Sequence, residues 1–197
     1  MNIIKEVKKL KNSEVKQIVN GRLKEFKKLN KEGNKEWFSE LCFCILTANS
    51  KAETALKIQT ELKDCFGNAS PKKVKQCIIN NKHRFHNNKT KYIIEARNFL
   101  NIKDIILKEK EPREWLVKNI KGLGYKESSH FLRNVGYDTY AILDRHILVL
   151  LGREKTINPK LYKEVEKEFI ELTNKLKMNA AELDLYMWYL KTGKVLK

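Results

Sequence analysis

Residues Ile120–Ile147 read IKGLGYKESSHFLRNVGYDTYAILDRHI. A Gly-Leu-Gly turn at Gly122–Gly124 is followed at once by a helical pattern that opens with Lys126. Asp144 stands where the next apolar helix begins. Glycine permits positive φ and close backbone approach. Amides of the turn and of the following helix N-terminus then point at a phosphate. Such a grip holds the nucleic-acid backbone and reads no sequence. Two helices joined in this way form a helix–hairpin–helix candidate. A bare G-x-G marks a plain turn more often than a phosphate site, but the flanking helices and the charge of the chain favour the latter.

That charge is +17 over 197 residues. Lysines brought near phosphates displace condensed counterions, so a polyanionic partner is expected. An A- and T-rich genome also enriches lysine, asparagine and isoleucine, which is the bland reading of the same composition. Hydrophobic content of 42% excludes a largely disordered chain, and the length suffices for one large or two small cores.

The four cysteines are Cys42, Cys44, Cys65 and Cys77. Cys42 and Cys44 lie in the apolar run WFSELCFCILTA and read as core. None of the spacings resembles a zinc or iron–sulfur ligand set, so free thiols in a reducing cytosol are expected. MNIIKEVKKLKNSEVK lacks a signal-peptide apolar stretch, and no run approaches membrane-spanning length.

Periodicity is helical almost throughout. Val15, Ile18, Val19, Leu23 and Phe26 fall at helical spacing and predict a first amphipathic helix. Trp37 to Thr47 is apolar on nearly all sides, as in a central buried helix. Ser50 with Glu53 reads as a capping box for a helix ending near Gly67. Ser70-Pro71 starts another, with proline at the first helical position. Helices follow at Lys89–Leu100, Pro112–Asn119 (with Trp115, Leu116 and Ile120 inward), Tyr125–Val135 stopped by Gly136, Asp144–Leu151, Pro159–Lys177 and Ala180–Lys191. No segment alternates as a strand does, and 3 prolines and 8 glycines punctuate the chain. The expected class is all-α.

Chain geometry allows Lys126 and Asp144 to meet. A helix over Tyr125–Val135 carries the chain roughly 16 Å away, and the return segment Gly136–Leu143 can span up to about 26 Å. The plain alternatives are a solvated lysine and an aspartate that merely caps its helix. A nucleophilic lysine must be neutral, and a free lysine with pKa about 10.4 is almost wholly charged at pH 7. A place in the first helical turn disfavours the ammonium. Desolvation and neighbouring lysines push the same way, and a nearby carboxylate opposes them.

These residues resemble the helix–hairpin–helix base-excision glycosylase superfamily, in which a glycine-rich hairpin precedes a catalytic aspartate. A lysine just after the hairpin is similar to that of the bifunctional glycosylase/lyases. Within the superfamily the chain looks most like the type-2 8-oxoguanine DNA glycosylase/AP lyase family of archaea and some bacteria. The stretches ELCFCILTANS, the hairpin block, ELDLYMWYLKTGKVLK and His83–Phe85 carry the match, from about residue 37 to the last. No cysteine cluster follows Asp144, unlike the endonuclease III and adenine-glycosylase branches. There is no room for the β-rich N-terminal domain of the eukaryotic 8-oxoguanine enzymes. Lys121 replaces the proline often found in this hairpin.

The resemblance implies a two-lobed helical fold with the active site between the lobes. Residues 36–145 would form a helical barrel lobe containing the hairpin at about 112–135, and residues 1–35 with 146–197 the second lobe. It implies an enzyme that excises 8-oxoguanine from double-stranded DNA through a Schiff base on Lys126 and then nicks the strand. Asp144 would assist the amine and stabilise the sugar cation. Trp188 would stack on the flipped base, and Lys197 would separate 8-oxoguanine from guanine.

Base extrusion needs a wedge, for which Asn49 and Phe85 are candidates. Their plain readings are a helix cap and a core phenylalanine. Gly122, Gly124, Arg84, Arg145 and Lys121 are candidate DNA-backbone contacts. Asp184 could also reach the pocket, but its plain reading is a helix-surface aspartate. The histidines His83, His86, His130 and His146 show no metal-like arrangement. No cofactor or metal is required, though the hairpin carbonyls leave room for a monovalent cation once DNA is bound. A cytoplasmic, nucleoid-associated prokaryotic monomer is the expectation. The alternatives are a glycosylase for another damaged base, a non-catalytic helix–hairpin–helix DNA-binding protein, or a basic RNA-binding protein. The two binding modules explain the charge but need neither Lys126 nor Asp144.

Overall fold

The computed structural model describes residues 2–197, apart from the side chain of Asp64. Among these residues every regular element is helical. In chain order they are α1 (Ile3–Lys11), α2 (Val15–Lys31), α3 (Asn34–Thr47), α4 (Ala52–Leu62), α5 (Pro71–Asn80), α6 (His86–Ala96), α7 (Ile102–Lys108), α8 (Pro112–Asn119), α9 (Tyr125–Asn134), α10 (Arg145–Leu150), α11 (Pro159–Leu176) and α12 (Ala180–Thr192). Short 3-10 turns follow α4 and α6. The all-α expectation holds, but α1 and α7 escaped the sequence reading. Each is short and buries at most two residues, Val7 in α1 and Ile102 with Ile106 in α7, although Ile3, Val7 and Leu10 of α1 fall at helical spacing and were legible in principle.

The chain divides into two compact units, one of Leu29–Phe131 and one of Leu132–Lys197 with the residues up to Lys28. The sequence reading put the divisions at 35/36 and 145/146. With these boundaries Lys126 belongs to the first unit and Asp144 to the second.

In the Leu29–Phe131 unit α3 is the central helix. Its residues from Trp37 to Thr47 are buried except Ser39, and it packs against α4, α6 and α7. Burial on nearly all sides explains why the run is apolar apart from Ser39, Glu40 and Thr47. Trp37 donates its indole N–H to the Leu29 carbonyl at 3.0 Å and meets Phe131 edge-on at 6.0 Å between ring centroids. Cys42 and Cys44 are not in disulfides and are fully buried, as core cysteines should be. Ser70 caps α5 by accepting from the Lys73 amide, with Pro71 in the first turn. The Ser50–Glu53 capping box does not form. Helix α4 starts one residue late for it, with Lys51 at the cap and no side-chain cap bond.

In the second unit α12 is the most buried element and packs against α1, α10 and α11. Val15, Val19 and Phe26 are the buried residues of α2. Ile18, expected on the same stripe, is 53% exposed. Asn158 and Asn179 cap α11 and α12 through their side chains. Asp184 corrects the sequence reading. It is 3% exposed, not on the helix surface, and pairs with Arg133. Spacing along α12 could not show this, because nearly every face of that helix is covered.

Candidate active site

The hairpin is built from the end of α8 to the start of α9. Ile120 leaves the helix in extended backbone, and Leu123 turns inward, 5% exposed, donating to the Ile120 carbonyl at 3.3 Å. Gly122 takes φ +87°, a conformation that L side chains avoid. Gly124 does not use positive φ. It is the residue just before α9, and its carbonyl accepts from the Ser128 amide at 2.9 Å. Gly124 itself brings no side chain to the N-terminus of α9, and Glu127 Oε2 lies close by, 3.5 Å from where a Cβ on Gly124 would stand.

Lys126 projects from that first turn. Its side chain is 31% exposed, and Nζ lies 2.8 Å from Oε1 of Glu127, whose side chain is 13% exposed. Lys121, beside the hairpin, is paired with Glu95 of α6 at 3.3 Å.

Arg84, Phe85 and Asn49 come together. Arg84 Nη2 donates to the Asn49 carbonyl at 3.0 Å, and its guanidinium lies over the Phe85 ring at 4.5 Å. Phe85 is 37% exposed, which excludes the core reading. Asn49 follows the C-cap of α3 with φ +58° and is exposed. It has the backbone of a left-handed helix terminator, a role asparagine fills without a Cβ-branched clash. Its side chain is thereby turned outward at a fixed point.

Asp144, in the other unit, is the N-cap of α10. Its Oδ1 accepts from the amides of His146 at 2.8 Å and Ile147 at 2.9 Å. The capping reading is therefore real, but it uses one oxygen. No hydrogen bond reaches Oδ2 among the described residues. The strap before Asp144 is held by α11. The Tyr162 hydroxyl donates to the Ala141 carbonyl at 2.8 Å and accepts from the Leu143 amide at 3.2 Å. Glu166 accepts from the Ala141 amide at 3.2 Å.

His146 meets Trp188 of α12 edge-on at 5.1 Å, and Arg145 Nε donates to His146 Nε2 at 3.2 Å. The indole N–H of Trp188 is buried and has no hydrogen-bond partner. Lys197 is half-buried. Burial raises Asp184 of α12 to about 6, with Arg133 opposing the rise and Asp144 adding to it.

Comparison with known proteins meets this geometry directly. A family model described as 8-oxoguanine DNA glycosylase matches residues 19–185. The chain belongs to the 8-oxoguanine DNA glycosylase family. A relative from Methanocaldococcus jannaschii, named 8-oxoguanine DNA glycosylase/AP lyase, is 48% identical and covers 100% of both chains. The crystal structure of the M. jannaschii 8-oxoguanine glycosylase/lyase in complex with a 15mer DNA containing 8-oxoguanine superposes with TM-score 0.96 at 47% identity, over 100% of both chains. The 8-oxoguanine DNA glycosylase of Thermotoga maritima gives TM-score 0.92 at 35% identity, over 98% of both.

Two further charged residues escaped the sequence reading. Glu127 was legible in principle, since it adjoins Lys126 and falls in the same helical turn. Lys89 was not. It is 4% exposed and donates to the Ile45 carbonyl at 2.6 Å. It satisfies one of the carbonyls that the end of α3 leaves open, as His83 Nε2 does for Leu46 at 3.0 Å. Burial pushes Lys89 down to about 8, with Glu127 opposing the fall and Lys126 adding to it. Burial likewise lowers His83. Among the described residues no group of three or more His, Cys, Asp or Glu is placed to hold a metal, and no helix is long and apolar enough to cross a membrane.

Proposed function

We propose that this protein is a bifunctional DNA repair enzyme that excises 8-oxoguanine from duplex DNA and cleaves the strand at the resulting site. The observation that carries this reading is Lys126 in the first turn of α9, directly behind the Gly122–Gly124 hairpin. The end-to-end relatives named 8-oxoguanine DNA glycosylase/AP lyase support it. A DNA-binding hairpin alone needs no lysine nucleophile.

In this reading the hairpin amides, Arg84 and Arg145 hold the phosphates, and Phe85 and Asn49 fill the gap left by the extruded nucleotide. Trp188 stacks on the flipped base, and Lys197 distinguishes 8-oxoguanine from guanine. Lys126 Nζ attacks C1′ as the bond to the base breaks, with the electron pair leaving on the base. Asp144 orients the amine and stabilises the positive sugar. The N–C1′ adduct opens to a Schiff base. Loss of a proton from C2′ then expels the 3′ phosphate by β-elimination, and water releases Lys126. The protein works as a monomer in the cytoplasm, on genomic DNA.

Borohydride reduces a Schiff base to a stable amine. Wild-type protein on 8-oxoguanine duplex should therefore become covalently joined to DNA, and Lys126→Gln should not. A covalent complex with Lys126→Gln would falsify the assignment.

A further inference from the structure

The turn between α5 and α6 is built around a buried histidine. Lys82 leaves α5 with φ +56°. Its amide donates back to the Ile79 carbonyl at 2.8 Å, and the His83 amide to the Ile78 carbonyl at 3.2 Å. The His83 side chain is 2% exposed, while Phe85, two residues on, is 37% exposed. His83 Nε2 lies 3.0 Å from the Leu46 carbonyl of α3, and the Phe85 amide donates to Nδ1 at 3.2 Å. A carbonyl can only accept and an amide N–H can only donate. The ring is therefore neutral, with its proton on Nε2.

This bridge joins an exposed residue to the core. Ile45 and Leu46, in the last turn of α3, are fully buried. The Phe85 carbonyl accepts from the Lys89 amide at 2.9 Å, which starts α6. The His83 ring meets the Phe85 ring edge-on at 6.4 Å, and the Arg84 guanidinium covers it at 4.5 Å. Both backbone polar groups of Phe85 are thus fixed, and its ring leaves the surface from a set point.

We propose that His83 is the positioning residue for the wedge: its neutral ring ties the Phe85 backbone to α3 and so presents the Phe85 ring to the gap left by an extruded nucleotide. The inference rests on Phe85 as that wedge. A doubly protonated ring sets an N–H against the Phe85 N–H, two donors with no acceptor, and the tie is lost. The charged and titratable groups around His83 are Lys89 and His86 of α6 and Arg84 beside it, and from α3 it meets the Leu46 carbonyl. Burial does most to disfavour the second proton. The Leu46 carbonyl opposes that effect, and Lys89, Arg84 and His86 add to it. The ring therefore takes its second proton only at a pH below its ordinary 6.5.

Two substitutions divide the bridge. In His83→Asn the amide oxygen takes the place of Nδ1 and accepts from Phe85, while the Leu46 carbonyl goes unmet. In His83→Gln the amide nitrogen still reaches Leu46, and the Phe85 amide is released. The readout is affinity for a duplex with a tetrahydrofuran abasic analogue relative to an intact duplex. The analogue carries the gap but cannot form a Schiff base. His83→Gln should lower that preference about fivefold, and the loss should vanish in a Phe85→Ala background. His83→Asn should keep the preference although it unfolds at lower urea. Between pH 7.5 and pH 5 the preference should fall further in the wild type than in His83→Asn. Nitrogen-15 spectra at pH 7.5 should show Nδ1 of His83 without a proton. Full preference in His83→Gln, or a proton on Nδ1, overturns the bridge. An equal loss in both variants also overturns it and leaves His83 serving the fold alone. A preference that Phe85→Ala leaves intact overturns the wedge reading itself, and the bridge with it.

Discussion

The ring of Tyr92 lies against Gly122 so closely that a Cβ added there would fall 2.5 Å from Cδ2 and 3.0 Å from Cε2. Helix α6 therefore holds the hairpin by its first glycine, at the point where the backbone takes φ +87°.

Gly122→Ala should incur two separate penalties. The left-handed backbone costs about 1–2 kcal/mol, and overlap with the ring costs about 1–3 kcal/mol more. Urea unfolding should show the sum, and affinity for duplex DNA should fall with it. In a Tyr92→Ala background only the backbone penalty remains. Equal losses in both backgrounds would show that the ring is not the obstacle.

Arg84 bridges the Asn49 carbonyl and the Phe85 ring. If its remaining donors reach a phosphate, Arg84→Ala should weaken binding to all duplexes alike. The slope of log affinity against log salt should fall by about 1. Phe85→Ala should act differently, since a stacking wedge is worth roughly 1–3 kcal/mol per base. Lesion binding and opposite-base preference should both change, and unchanged values would remove Phe85 from the site.

Removal of Lys197 should erode discrimination between 8-oxoguanine and guanine while abasic-site cleavage stays largely intact. Base release from paired lesion and normal duplexes checks the first part, and strand nicking of abasic duplex the second. Retained discrimination rules Lys197 out of base recognition.

The Arg133–Asp184 pair gives a pH-dependent prediction. Asp184 is raised from 3.8 to about 6 by burial, so the folded state binds its proton more tightly than the unfolded chain does. The stability from this carboxyl is fully present below 3.8 and is lost as pH rises through about 6. Arg133→Met strands the buried carboxylate and should cost about 3–5 kcal/mol at pH 7.5. The deficit should shrink at pH 5, where Asp184 takes a proton. Urea titrations at the two values decide it, and an equal deficit at both means that Arg133 contributes packing alone.

Local signals explain what was legible along the chain. Pro112–Asn119 was readable end to end because proline marks its start and the hairpin its finish. Trp37–Thr47 was readable because a helix covered on nearly all sides carries a mostly apolar run. The box at Ser50 and Glu53 failed because capping depends on where the backbone turns, and α4 begins one residue later. Ile18 looked inward by spacing, but a stripe on α2 does not reveal how far its neighbours extend. Phe85 could not be divided between core and surface, since an isolated phenylalanine in a polar loop satisfies either.

By itself the sequence determined the helical class, the hairpin turn and the candidacy of Lys126 and Asp144, because each rests on short-range periodicity, glycine chemistry or motif spacing. Only the tertiary structure decided which charged groups lie in the interior. Asp184 with Arg133, and Lys89 at the end of α3, depend on packing between segments far apart in the chain. Burial is a property of what surrounds a side chain. Desolvation and the nearest opposite charge set its proton affinity, and neither is written in the residues beside it.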